Sequence, residues 1–120
     1  MGPTVLISDD DPTLTELLSY AVAARGMSPI ADISSQTLEL AKRHRPAVII
    51  LDLDQLIDGM VVLAQLRAAP ETCDAKVIVL TGHHAEGLRE QCLELGAHDF
   101  YRKPFSPEFI QRVATLAGAK

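Results

Sequence analysis

The sequence predicts an α/β fold built from five strand–helix units around a parallel sheet. Three observations carry that reading. Short apolar runs alternate with helical patterns along the whole chain. Two of the runs, Ala47–Leu51 (AVIIL) and Lys76–Leu80 (KVIVL), are rich in β-branched residues and show no polar alternation, as strands do when helices cover both faces. The chain has 120 residues, which is the size of one domain able to bury about two-thirds of the surface its unfolded form exposes. We therefore read residues 1–120 as a single domain.

Each element follows from local chemistry. Thr4–Ser8 (TVLIS) is the first strand. The helix after it, from about Pro12 to Arg25, carries Leu14, Leu17, Leu18, Ala21 and Val22 at the i, i+3, i+4, i+7, i+8 spacing of a helix packed on a sheet. Asp11 is placed to cap it, Pro12 suits its first turn and Gly26 its exit. Strand two, Pro29–Ile33, is short and opens on proline, which predicts an edge or near-edge position. A helix over about Ser35–His44 follows and is stopped by Pro46. The two β-branched runs are strands three and four, with a helix over about Gly59–Ala68 between them. After Thr81 another helix spans about Ala85–Leu95 and is closed by Gly96. Asp99–Tyr101 is a fifth strand, and Ser106-Pro107 opens a last helix whose inward face is Phe109, Ile110, Val113, Leu116 and Ala117.

Composition narrows the function classes. Hydrophobic residues at 48% and charged residues at 22% exclude a disordered chain. Eleven Lys and Arg against sixteen Asp and Glu give a net charge of −5, so no basic footprint exists for nucleic acid or an anionic membrane. Cys73 and Cys92 show no metal-ligand spacing and are expected to be buried or inert thiols in a reducing compartment. The apolar runs are far shorter than the ~18 residues of a membrane span, so a soluble cytoplasmic protein is expected. Lys42, Arg43, His44 and Arg45 lie at a helix C-terminus, where the helix dipole favours cations, and need no partner. His83 and His84 have no third ligand at useful spacing for a metal.

In open parallel sheets the ligand crevice lies beyond the carboxyl ends of the strands. The residues there are Asp9, Asp10, Asp52, Thr81 and Lys103. Taken singly, each has a plain structural reading as a cap, turn or solvated loop residue. Together they have a specific chemistry. Clustered carboxylates disfavour their own ionisation unless a cation sits among them, and magnesium, with its preference for hard oxygen ligands, is the natural one. With charge neutralised, one carboxylate can attack a phosphoryl group and form an aspartyl phosphate. Lys103 and the Thr81 hydroxyl would then hold the phosphoryl oxygens.

The segments VLISDDD, VIILD, VIVLTG and YRKPF, in that order, resemble the response regulator receiver domain of two-component signalling (CheY-like), and the resemblance covers essentially the whole chain. It implies a doubly wound (βα)5, flavodoxin-like three-layer sandwich whose five-stranded parallel sheet has the order 2-1-3-4-5. It also implies that Asp52 accepts phosphate from a sensor histidine kinase or phosphotransfer protein. Magnesium would be held by Asp9, Asp10, Asp52 and the backbone carbonyl of Asp54, with Asp10 the direct ligand of the acidic pair. Thr81 matches the switch hydroxyl, Lys103 the phosphate-binding lysine, Pro104 the proline after it, and Phe100 the switch aromatic. Asp54 and His83 fall where the family tunes the lifetime of the aspartyl phosphate. The implied protein is no enzyme beyond its own phosphoryl transfer and dephosphorylation. It signals to a downstream effector or output domain, with a homodimer left open.

One loop departs from the family. After Asp52 the chain reads LDQLIDG, with Leu56 where proline is common and the pair Asp58-Gly59 one residue early, so the loop is one residue short. This motivates a second reading, a degenerate receiver that binds proteins without phosphorylation. A third comes from Asp52-Leu53-Asp54, which resembles the haloacid dehalogenase-like phosphatases. No Gly-Thr follows Asp54, no acidic motif follows Lys103, and no cap domain fits in the chain.

Overall fold

The computed structural model describes residues 2–34, 36–54, 58–83 and 85–119. Strands and helices alternate as β1 (Thr4–Ser8), α1 (Pro12–Ala24), β2 (Ser28–Asp32), α2 (Thr37–His44), β3 (Val48–Leu51), α3 (Gly59–Ala68), β4 (Lys76–Thr81), α4 (Leu88–Glu94), β5 (Asp99–Arg102) and α5 (Pro107–Ala117). All strands are parallel, in the order β2-β1-β3-β4-β5. This is the doubly wound sheet the sequence predicts, with proline-bearing β2 at an edge.

The central strands are apolar on both sides because both sides are covered. Val5, Ile7, Val48, Ile50, Ile78 and Leu80 face one way and pack with Leu18 and Val22 of α1 and Phe109, Ile110, Val113 and Ala114 of α5. Leu6, Ile49, Leu51, Val77 and Val79 face the other way, against Ala41 of α2, Leu63 and Leu66 of α3, and Leu88 and Cys92 of α4. Successive strand residues alternate between the two cores, as a period of two requires. The aromatic rings of Tyr101 and Phe109 meet edge to face at 5.3 Å within the α1–α5 layer.

Local signals place most ends. The Asp11 side chain accepts from the Thr13 and Leu14 amides, with Pro12 in the first turn. Helix α2 stops at His44 because Pro46 keeps the preceding residue out of the helical region, and Arg45 turns left-handed at φ 47°. Two expectations are corrected, the start of α4 and the burial of Leu17. Helix α4 begins at Leu88 and not at Ala85, since its N-cap Gly87 is left-handed at φ 78° and no helix runs through that conformation. The expected start of α2 at Ser35 lies outside the described residues, and the helix begins at Thr37. Leu17 is 52% exposed rather than part of the buried stripe, and Thr15 is buried in that layer, its hydroxyl donating to the Pro12 carbonyl. Cys92 is buried, whereas Cys73 is only half-buried. Ser106 is the N-cap of α5, yet makes no side-chain capping bond. Among the described residues no helix is long and apolar enough to cross a membrane.

Candidate functional site

The sheet order brings the ends of β1, β3, β4 and β5 side by side. Backbone bonds fix that alignment: the Asp52 amide donates to the Ser8 carbonyl at 2.9 Å, and the Lys103 amide to the Thr81 carbonyl at 2.9 Å. Asp9 and Asp52 are buried, and Asp10 is exposed at the rim. One carboxylate oxygen from each of Asp9, Asp10 and Asp52 lies within 4.8 Å of the others. These are hard oxygen donors, and their spread is close to the roughly 4.1 Å across a magnesium octahedron. Such an ion fits with a small inward movement.

Lys103 adds a feature. Its Nζ lies 2.8 Å from Asp9 Oδ2 and 3.3 Å from Asp52 Oδ2, so the chain's own ammonium already stands between two of the carboxylates. Burial pulls the Lys103 ammonium toward deprotonation, but its hydrogen bond to Asp9 and the charges of both carboxylates outweigh this and raise its pKa. The Asp52 carboxyl is held above its ordinary value, chiefly by burial and further by the Asp9 charge. The Asp54 amide and Lys103 oppose that rise. The Asp54 amide reaches Asp52 Oδ1 at 3.2 Å, which sets the Asp54 backbone beside the carboxylate.

The other expected residues are placed as follows. Thr81 is fully buried at the end of β4, and its Oγ1 accepts from the His83 amide at 3.2 Å. Phe100 is buried against the α3–α4 layer, and its carbonyl accepts from Arg89 at 3.0 Å. Asp54 and His83 meet each other, with His83 Nδ1 3.1 Å from the Asp54 carboxylate, so the segments after β3 and β4 are linked above the crevice. The Lys103–Pro104 peptide is cis. Next to it an open hollow of about 480 Å³ is lined by Leu14, Leu17, Pro104 and Phe105, with Asp11, Thr13 and Lys103 adding polar groups. The shortened loop rests on residues 55–57, and the second histidine of the His83-His84 pair is likewise outside the described residues.

With this geometry in view, similarity to known proteins is informative. The family model of the response regulator receiver domain matches residues 5–115. The chain belongs to that family. This receiver domain is 32% identical over 119 residues to the phosphate regulon transcriptional regulatory protein PhoB of Rhizobium meliloti, covering 97% of the chain and 52% of that protein. It is 32% identical over 115 residues to the response regulator MprA of Mycobacterium leprae, covering 93% of the chain and 50% of that protein. The chain thus spans about half the length of these relatives. Among solved structures, the receiver domain of a Francisella response regulator superposes with a TM-score of 0.87 at 27% identity, covering 98% of each chain. The receiver domain of a sensor histidine kinase from Pseudomonas aeruginosa PAO1, solved with a magnesium ion in its active-site cleft, superposes with a TM-score of 0.86 at 25% identity, covering 99% of this chain and 100% of that one. Family membership separates the receiver domain from the haloacid dehalogenase-like alternative.

Sequence reasoning misses a buried polar set next to the cluster, formed by Ser8, Asp32 and Thr37. A lone Asp at the end of a strand with no apolar run reads as a turn residue, and only the fold shows that it is 1% exposed.

Proposed function

We propose that this receiver domain takes a phosphoryl group onto Asp52 from a sensor histidine kinase or phosphotransfer protein and passes the change to an effector or output domain. The observation that carries the proposal is the convergence of Asp9, Asp10 and Asp52 with the Lys103 ammonium between them. A carboxylate oxygen of Asp52 attacks phosphorus, the bond from phosphorus to the donor histidine nitrogen breaks, and the imidazole leaves with the electron pair. An acyl phosphate results. Asp9, Asp10, Asp52 and the Asp54 carbonyl would hold magnesium, which when bound supplies charge neutralisation for the phosphoryl oxygens. Lys103 exchanges a carboxylate for a phosphoryl oxygen, and the Thr81 hydroxyl donates to another.

Thr81 drawn toward the phosphoryl group would alter what surrounds Phe100, which makes these two the switch residues. The surface they serve comprises α4, β5 and α5. Asp54 and His83, paired above the crevice, set how readily water reaches the acyl phosphate. The open hollow beside Lys103, with Leu17 52% and Tyr20 68% exposed on α1, supplies the phosphodonor with a docking surface next to Asp52.

Intact-mass measurement after incubation with acetyl phosphate and magnesium tests the reading. One labile adduct is expected on wild type and none on Asp52→Asn. No adduct on wild type would favour the phosphorylation-independent binding module, and an equal adduct on the variant would move the acceptor elsewhere.

A further inference from the structure

Asp32, the last residue of β2, lies outside the acidic cluster and is as deeply buried as its two inner members, Asp9 and Asp52. Its Oδ1 accepts from the Ser34 amide at 3.0 Å, the Ser34 hydroxyl at 3.1 Å and the Gln36 amide at 3.3 Å. Its Oδ2 accepts from the Thr37 hydroxyl at 2.9 Å. Among the described residues no cation lies within ion-pair distance of it, so neutral donors alone hold a buried carboxylate. Such an arrangement is costly unless every acceptor site is well served.

The bonds have a direction. A carboxylate can only accept, so the single Thr37 proton goes to Asp32. The contact between Thr37 Oγ1 and Ser8 Oγ at 2.5 Å must then be donated by Ser8. The chain of bonds runs Ser8 to Thr37 to Asp32, and all three residues are at most 2% exposed. Ser8 directly precedes Asp9, and its carbonyl accepts from the Asp52 amide. The Asp32 carbonyl accepts from the Asp9 amide at 3.1 Å. Both buried carboxylates of the cluster are therefore anchored, through one backbone bond each, to residues of this polar set.

We infer that Asp32 is a positioning residue for the acidic cluster: through Thr37 and Ser8 it sets the end of β1, and with it the separation of Asp9 from Asp52. The inference rests on the proposed function for its consequence, since that separation governs how well a magnesium ion is held. Outer partners of metal ligands typically change affinity by about 10-fold to 100-fold when removed.

The test uses Thr37→Val, which keeps shape and deletes the hydroxyl, because Asp32→Ala leaves several buried donors unpaired and would threaten folding. Thr37→Ser restores the hydroxyl, and Val113→Ala in α5 supplies a destabilised control remote from the network. Calorimetric titration with magnesium should show Kd raised about tenfold in Thr37→Val, restored in Thr37→Ser and unchanged in Val113→Ala. Amide hydrogen exchange without any ion should show the Asp9 and Asp52 amides less protected in Thr37→Val alone. Wild-type protection of those two amides in Thr37→Val, or equal losses in Val113→Ala, would overturn the inference. The exchange arm needs no metal, so a wild type that bound no magnesium would defeat the proposed function and still leave the positioning role decided.

Discussion

At Asp52 two demands oppose each other. The proposed transfer needs the carboxylate ionised, yet burial and the Asp9 charge favour its protonated form. An acid whose pKa is raised by folding contributes stability below its unfolded value of 3.8 and loses it as pH rises through the folded value. At neutral pH the ionised group therefore works against the fold. Asp52→Asn should raise the melting temperature in magnesium-free buffer, with about 4 °C corresponding to about 1 kcal/mol in a domain of this size. Millimolar magnesium should raise the wild type more than the variant, because an ion bound only to the native state stabilises it by mass action. A variant that melts below wild type without magnesium would show that losing the Lys103 contact outweighs relief of the buried charge. The residues of this site were legible in the sequence where they follow a run that only a covered strand explains, as Asp52 follows AVIIL and Thr81 follows KVIVL. Asp32 ends SPIAD, which has no such run, and the bonds that make it matter come from residues brought together only by the fold.

Among the elements, α3 is tied directly to the crevice. Its first residue, Gly59, donates its amide to the Leu53 carbonyl, and a Cβ there would stand 2.5 Å from Leu53 Cα and 2.9 Å from the Asp52 carbonyl oxygen. Those neighbours are backbone and cannot swing aside, so a methyl group must displace either the helix or the strand end that carries Asp52. Gly59→Ala should cost about 1–3 kcal/mol in denaturant unfolding. It should also slow labelling by acetyl phosphate more than a core variant of equal stability does, and equal rates would show that the helix yields and the strand does not. Helix positions were readable from apolar periodicity, while helix starts depended on backbone conformation. Ala85 and Glu86 look helical by composition, yet left-handed Gly87 delays α4 to Leu88. Leu17 fits the α1 stripe by spacing, yet it is half exposed, while Thr15 is buried in its layer.

For the molecule as a whole, strand order was recoverable only through resemblance, because local patterns do not say which parallel strands are neighbours. The order has an acid-sensitive consequence away from the crevice. His98, just before β5, accepts the Val77 amide on Nδ1 at 3.2 Å, which requires a neutral ring. Burial depresses its pKa, and the charges of Arg67, Lys76 and Arg112 depress it further. A histidine shifted this way contributes stability that is complete above its ordinary value of 6.5 and is lost as pH falls through the folded value. The melting temperature should therefore drop as pH falls below 6.5, and His98→Gln should flatten that drop. A variant with the wild-type slope would assign the acid sensitivity to other groups.

The bridge made by Lys103 also bears on the order in which the chain is made. Asp9 and Asp52 end two strands that pair directly, β1 and β3, whereas their shared ammonium follows β5 at the opposite edge. Synthesis proceeds from the N-terminus, so the two acids can meet while the base that reconciles them is still half a chain from being made. Closing the sheet's centre before then brings the two carboxylates together without the Lys103 ammonium, an arrangement that disfavours their joint ionisation.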